Sequence, residues 1–311
     1  MDIPEIPKPR LVTILGPTGV GKTAMTLALA GRLGGEIVSA DSMQVYRGMD
    51  IGTAKPTPEE RRRIPHHLLD VVDPDQPFDA SRYCVLAHEV IARLCGERKP
   101  VFVVGGTGLY IRALLGGLIA GPGADDSLRQ SLREEEERWG APRLYEKLRA
   151  RDPQAAERIS PRDVVRIIRA IEVLELTGRS IVDHQKDHRF RSQPYDALKI
   201  GLTLPREELL SRIDGRTERM MAAGFVGEVE RLLGRGYARS LKPMQSLGYR
   251  HLAACLAGEM DIGEAIRLIK RDTRRYAKRQ MTWFAADPEI IWLAPDGIDA
   301  AAERIGCFLG R

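Results

Sequence analysis

The sequence predicts an α/β protein in which a parallel sheet flanked by helices is interrupted by an all-helical insertion. Three observations carry that expectation. Short β-branched runs alternate with helical periodicity, and a glycine-rich turn joins the first run to a helix. The texture then becomes wholly helical from about residue 119, and strand character returns only near residue 197.

The elements follow in order. Leu11-Val12-Thr13-Ile14-Leu15 reads as a buried parallel strand that stops at Gly16, and helical periodicity starts after Thr23. Between them Gly16, Pro17, Thr18, Gly19, Val20, Gly21, Lys22 and Thr23 satisfy G-x-x-x-x-G-K-[ST] between strand and helix, as that motif requires. The core is therefore expected to be P-loop NTPase-like. Glycines let consecutive backbone N–H groups turn inward around a phosphate, and the helix start adds the positive end of its dipole. Lys22 would neutralise a terminal phosphate, and the Thr23 hydroxyl would help to hold Mg²⁺.

Glu36–Ala40 and Pro100–Val104 read as further strands. Ligands of parallel sheets gather at the carboxyl ends of strands, which singles out Asp41-Ser42-Met43-Gln44 and Gly105-Gly106-Thr107-Gly108. Ala124-Asp125-Asp126-Ser127 reads as a helix start, and helical patterns continue through Ser131–Trp139, Arg143–Arg151 and Val164–Leu176, the last closed by Thr177-Gly178. The charge run Arg133–Arg138 reads as a solvated face. Ser180–Pro194 reads as a polar loop. Its His184 and His188 lie four apart without a Glu between them, too little for a metal site. Strand texture returns at Ala197–Leu204. The expected division is a discontinuous core, residues 1–118 with 200–311, and a helical insertion over 119–199.

With 311 residues the chain has the length of about two domains. At 43% apolar and 29% charged, with a mean hydropathy of −0.26, it is neither a disordered chain nor a membrane protein by composition. No apolar stretch reaches the length of a membrane span. MDIPEIPKPR lacks the basic start and apolar run of a signal peptide, and Cys84, Cys95, Cys255 and Cys307 are scattered without metal spacing. A cytoplasmic monomer is expected. His66 and His67 read as packing or polar-surface residues, not catalysts.

The net charge is +5. Between Lys242 and Arg279 nine cations face four acids, a surplus equal to that of the whole chain. Arg267, Lys270 or Arg271, Arg274 and Lys278 recur at helical steps and would form a basic stripe suited to a phosphate backbone. A solvated amphipathic helix with Ile266, Ile269, Tyr276 and Ala277 turned inward is equally open.

Three functions would use these features. A small-molecule kinase or NTPase would hold ATP in the loop; it expects a strand ending in a metal-binding Asp, where Val101–Val104 ends in Gly-Gly, although Asp41 could substitute. A group transferase would hold a diphosphate as the leaving group, with Asp41 as the base. An RNA-binding NTPase would need no group transfer.

Further blocks resemble one family along nearly the whole chain. Besides residues 16–23 these are Asp-Ser-Met-Gln-Val-Tyr-Arg-Gly-Met-Asp-Ile-Gly-Thr-Ala-Lys-Pro at 41–56, Ile-Pro-His-His-Leu-Leu-Asp at 64–70, Val-Gly-Gly-Thr-Gly-Leu-Tyr at 104–110, Ala-Gly-Phe at 223–225, Leu-Gly-Tyr-Arg at 247–250 and Ala-Lys-Arg-Gln-Met-Thr-Trp-Phe at 277–284. Together they are similar to the tRNA dimethylallyltransferases, also called tRNA isopentenyltransferases. The resemblance implies Mg²⁺-dependent transfer of a dimethylallyl group from dimethylallyl diphosphate to N6 of the adenosine 3′ to the anticodon.

It further implies that Asp41 is the general base, that Thr107 stands near the reacting centre, and that Arg216 joins residues 16–23 in holding the diphosphate. The implied tRNA contacts are Asp41, Ser42, Met43, Gln44, Thr107, Arg129, Val165, Arg166, Ile167, Ile168, Arg169, Gln245, Ser246, Leu247, Gly248, Tyr249, Arg250, Lys278, Arg279 and Gln280. The helical insertion, with Arg162, Arg166 and Arg169, would then grip the anticodon stem-loop. Val165 and Ile168 are apolar where some relatives are polar, and the zinc finger of some eukaryotic relatives has no counterpart.

Overall fold

The structure, a computed structural model, describes residues 8–117, 123–188 and 193–310. The chain divides into two compact units, Met1–Leu115 with Pro194–Arg311, and Gly116–Gln193.

The first unit is built on six strands: β1 (Arg10–Leu15), β2 (Glu36–Ser39), β3 (His66–His67), β4 (Val101–Gly105), β5 (Asp196–Leu202) and β6 (Ile291–Leu293). They form one parallel sheet in the order β3-β2-β4-β1-β5-β6. Its helices are α1 (Lys22–Leu33), α2 (Pro58–Arg63), α3 (Ala80–Gly96) and α4 (Gly108–Gly116). After the second unit come α10 (Arg206–Ala222), α11 (Phe225–Gly234), α12 (Tyr249–Leu256), α13 (Ile262–Phe284) and α14 (Ile298–Leu309).

The central strands are apolar along their length because helices cover both faces of a parallel sheet. Val12, Ile14, Leu29, Phe102, Ile200, Leu202 and Ile305 are wholly inaccessible and form one cluster with α1 and α14. In register, Ile14 stands between Val104 and Ile200. The four expected strands are present within a residue or two, and the P-loop-like arrangement holds. The two edge strands, β3 and β6, are short, half-buried additions that no periodicity announces.

The second unit contains α5 (Asp126–Trp139), α6 (Ala141–Arg151), α7 (Pro153–Ala156), α8 (Val164–Thr177) and α9 (Ile181–His188). Asp125, Asp152 and Asp163 cap α5, α7 and α8 by accepting a backbone N–H three residues on. Leu132, Leu144, Leu148, Ile167, Ile171 and Val182 form its core. One expectation is corrected here: the segment carrying His184 and His188 is the helix α9, not a loop. Val182, 1% exposed, and its neighbour Ile181 anchor it to the core, two adjacent apolar side chains being too few to show a helical period in a polar stretch.

Candidate functional site

The chain leaves β1 through Gly16, Gly19 and Gly21, whose φ angles of +144°, +83° and +107° suit glycine alone. A Cβ on Gly16 would lie 2.8 Å from the Leu202 carbonyl oxygen, so the turn also needs glycine to sit against the end of β5. Lys22 Nζ donates to the carbonyls of Gly16 and Pro17, each at 2.9 Å. From α10, Arg216 donates to the Thr18 hydroxyl at 3.1 Å. Burial pushes the Lys22 ammonium down to about 8; Asp41 pulls it up and Arg216 presses it lower. Burial lowers Arg216 as well, with Asp41 opposing. Two desolvated cations thus face one carboxylate, a surplus of positive charge that suits a multiply charged anion.

Asp41 follows β2. Its Oδ1 accepts the backbone N–H of Met43 at 2.8 Å and of Gln44 at 3.3 Å, which leaves Oδ2 for other work. Thr107 follows β4 and braces this turn: its hydroxyl accepts the Ser42 N–H at 3.0 Å and lies 3.3 Å from the Ser42 hydroxyl, while its own N–H donates to Ala40. A Cβ on Gly105 would lie 2.1 Å from the Ala40 carbonyl oxygen. Strand β4 therefore ends in glycine because the β2 backbone passes too close for any side chain. A metal-binding Asp has no room there.

Thr18, Asp41, Ser42, Met43 and Arg216 line a cavity of about 610 Å³ together with Gln245–Arg250 and the α13 residues Arg271, Asp272, Arg275, Tyr276 and Arg279. Asp272 is its charged hub. It accepts from Arg271 Nε and from an Arg250 amino group at 2.8 and 2.7 Å, lies 3.2 Å from His251 Nε2 and 3.7 Å from Arg275, and is held well below the usual carboxylate range, first by Arg271. Three arginines around one carboxylate leave net positive charge on the wall.

The basic stripe expected from the sequence is corrected accordingly. Arg267 pairs with Glu264, Lys270 with Glu218 and Arg274 with Asp214, so that face of α13 is neutralised, largely by α10. The cavity receives Arg271, Arg275 and Arg279 instead. Arg279 sits 5.7 Å over the Tyr276 ring, and Lys278 is exposed.

Two of the expected contacts in this unit are internal. Tyr249 is 1% exposed, and its hydroxyl donates to Glu228 at 2.6 Å. Gln280 is 7% exposed and engaged between two loops. Glu228 and Lys55 were not singled out by sequence reasoning. The Glu228 carboxylate accepts the N–H groups of Asp50, Ile51 and Gly52, fixing the segment that brings Gly52 and Thr53 to the cavity. Lys55, its side chain 1% exposed, bridges Asp50 and Asp70, each at 2.7 Å. The blocks at 41–56 and 64–70 are thus joined by an ion pair whose lysine is buried, and His67 meets Glu36 at 2.7 Å.

In the second unit, Val165 (79% exposed) and Arg166 face solvent, whereas the side chains of Ile167 and Ile168 are buried in the core beneath α8. Arg129 and Arg169 both bond the fully buried Glu172, which also accepts the Asp125 N–H. Burial would raise the Glu172 carboxyl, but those donors outweigh it and hold it low.

Lys22 makes anion binding pH-dependent. Its charged form pairs with an anion, and the free protein loses that proton near pH 8. The affinity for inorganic pyrophosphate should be level from this group below about pH 7, bend downward around pH 8 and fall above it by up to about tenfold per pH unit. Calorimetry in buffers of different ionisation enthalpy should show proton uptake there. For folding the sign is opposite: between about 8 and the ordinary 10.5 the unfolded chain binds the proton more tightly, so this lysine's contribution to stability rises with pH.

Comparison with known proteins bears on the same residues. The IPP transferase family matches residues 44–287, and an isopentenyl transferase family matches residues 9–71. A tRNA dimethylallyltransferase 2 from Syntrophus aciditrophicus is 55% identical over 98% of both chains. A tRNA dimethylallyltransferase from Geobacter metallireducens is 54% identical over 94% of this chain and 95% of its own. Among solved structures, a full-length tRNA isopentenylpyrophosphate transferase from Bacillus halodurans superposes with a TM-score of 0.73 at 39% identity, covering 97% of each chain. A eukaryotic dimethylallyltransferase acting on tRNA gives 0.77 at 25% identity, over 96% of this chain and 78% of the other.

Proposed function

The chain belongs to the IPP transferase family, and on that premise we propose that it carries the dimethylallyl group of dimethylallyl diphosphate to N6 of the adenosine 3′ to the anticodon in tRNA. The observation that carries this reading is the convergence, beside one cavity, of a desolvated cationic loop with a carboxylate that keeps one oxygen free. The loop 16–23 and Arg216 hold the diphosphate. The N6 lone pair forms the new bond to the allylic carbon as the carbon–oxygen bond breaks, and that electron pair leaves with the diphosphate. Lys22, Arg216 and the loop amides stabilise the departing anion. The N6 proton passes to Asp41 Oδ2. The adenosine beside the anticodon must leave its stack to reach such a cavity.

Mg²⁺ fits this site as an ion that arrives with the diphosphate. Among the described residues no three His, Cys, Asp or Glu side chains gather as ligands, and Thr23, exposed at the first turn of α1, would supply the protein's oxygen ligand. When bound, the ion neutralises charge on the diphosphate.

The arginine-rich cavity wall holds the RNA backbone, with Val165 and Arg166 of the second unit as further contacts. No helix among the described residues is long and apolar enough to cross a membrane. We place the protein in the cytoplasm as a monomer. Its tRNA affinity should fall steeply with salt, and Arg275→Ala should reduce the slope of log affinity against log salt by about one; an unchanged slope would remove Arg275 from the interface. The functional test is nuclease digestion of tRNA after reaction. Prenylated adenosine confined to the position 3′ to the anticodon supports the reading, and unmodified tRNA contradicts it.

A further inference from the structure

Gln280 lies on α13 and is 7% exposed. Its Oε1 accepts the backbone N–H of Thr18 at 2.8 Å, and its Nε2 donates to the Gly106 carbonyl at 2.8 Å. Space is fitted to the amide, since a Cβ on Gly106 would stand 2.3 Å from Nε2. Thr18 belongs to the loop that holds the donor, and its hydroxyl takes Arg216. Gly106 precedes Thr107, which fixes the turn carrying Asp41. One amide thus ties the anion loop to the loop that aims the base, and does so with a donor on one side and an acceptor on the other.

We propose that Gln280 is a positioning residue that holds the donor loop and the acceptor loop in register for group transfer. The inference rests on the functional reading above and goes beyond it. Reacting atoms must meet within a few tenths of an ångström, and a displacement of about 1 Å can lower a rate about 100-fold without weakening either binding event. A residue acting in this way affects kcat and leaves both ligands' affinities in place. An RNA contact affects tRNA binding.

The test compares wild type, Gln280→Met and Gln280→Glu for prenyl transfer, with dissociation constants for inorganic pyrophosphate and unmodified tRNA measured separately. Methionine keeps the length and removes both hydrogen bonds. Glutamate keeps the acceptor for Thr18 and, when ionised, cannot donate to Gly106. The expected result for Gln280→Met is a kcat lower by about 10- to 100-fold with both dissociation constants within about threefold of wild type. Gln280→Glu should lose rate at pH 8 and regain part of it, relative to wild type, as falling pH turns its acid into a donor. That recovery also decides the matter if Gln280→Met does not fold. Unchanged kcat in both variants, or a loss expressed wholly in the tRNA dissociation constant, would overturn the proposal while wild type remains active. Wild type inactive on tRNA would overturn the functional reading itself, and this inference with it.

Discussion

Replacing Asp41 with asparagine is expected to slow prenyl transfer by about two to four orders of magnitude, the range for loss of a general base, while pyrophosphate binding at pH 7 stays near wild type. The exocyclic amine of adenine is a poor nucleophile because its lone pair is delocalised into the ring, and attack on carbon leaves it cationic unless the proton departs. Asparagine can still accept the N–H groups of Met43 and Gln44 that hold Oδ1, so the turn survives while the base is removed. Asp41→Ala loses the turn as well and should be at least as slow. Either variant also withdraws the charge that pulls Lys22 upward and so lowers the lysine further, and the comparison at pH 7 is therefore repeated at lower pH, where the lysine is charged in both proteins. Near-normal turnover by Asp41→Asn would remove Asp41 from the chemistry.

The second large effect is expected from Lys22→Ala. Lys22 supplies a desolvated positive charge where negative charge grows on the departing diphosphate. Donors of this kind, removed singly, lower rates by about 10²- to 10³-fold. Both kcat and diphosphate affinity should suffer, because the lysine meets charge in the ground state and more of it in the transition state. Its pairing with the Gly16 and Pro17 carbonyls is local, so the sheet should remain intact and the melting temperature little changed. Unaltered rate and affinity would contradict the role of the loop.

The loop and the strand ends were legible because their signals are local. A run such as Leu11–Leu15, a glycine spacing and a polar turn can be read without knowing what packs on them. What escaped was set by tertiary partners. Helical periodicity placed cations on α13 but could not choose between two adjacent stripes. The choice was made by Glu218 and Asp214 on α10, which neutralise Lys270 and Arg274 and leave Arg271 and Arg275 to the cavity. Tyr249, Ile167, Ile168 and Gln280 sit in blocks that read as RNA-binding, yet a helix turns by about 100° per residue, so a contiguous block spans both its faces, and these four face inward. Glu228 and Lys55 gave no local sign, since an acid or a lysine becomes structural only when the fold buries it against specific partners.

The central claim is that the loop holds a leaving group and not a nucleotide undergoing phosphoryl transfer. The most direct measurement incubates the protein with Mg²⁺, unmodified tRNA and dimethylallyl diphosphate labelled in the prenyl group, beside a parallel reaction with ATP. Label incorporated into tRNA with one pyrophosphate released per transfer, and no turnover of ATP, is the predicted result. Phosphate released from ATP with no label in tRNA would contradict it.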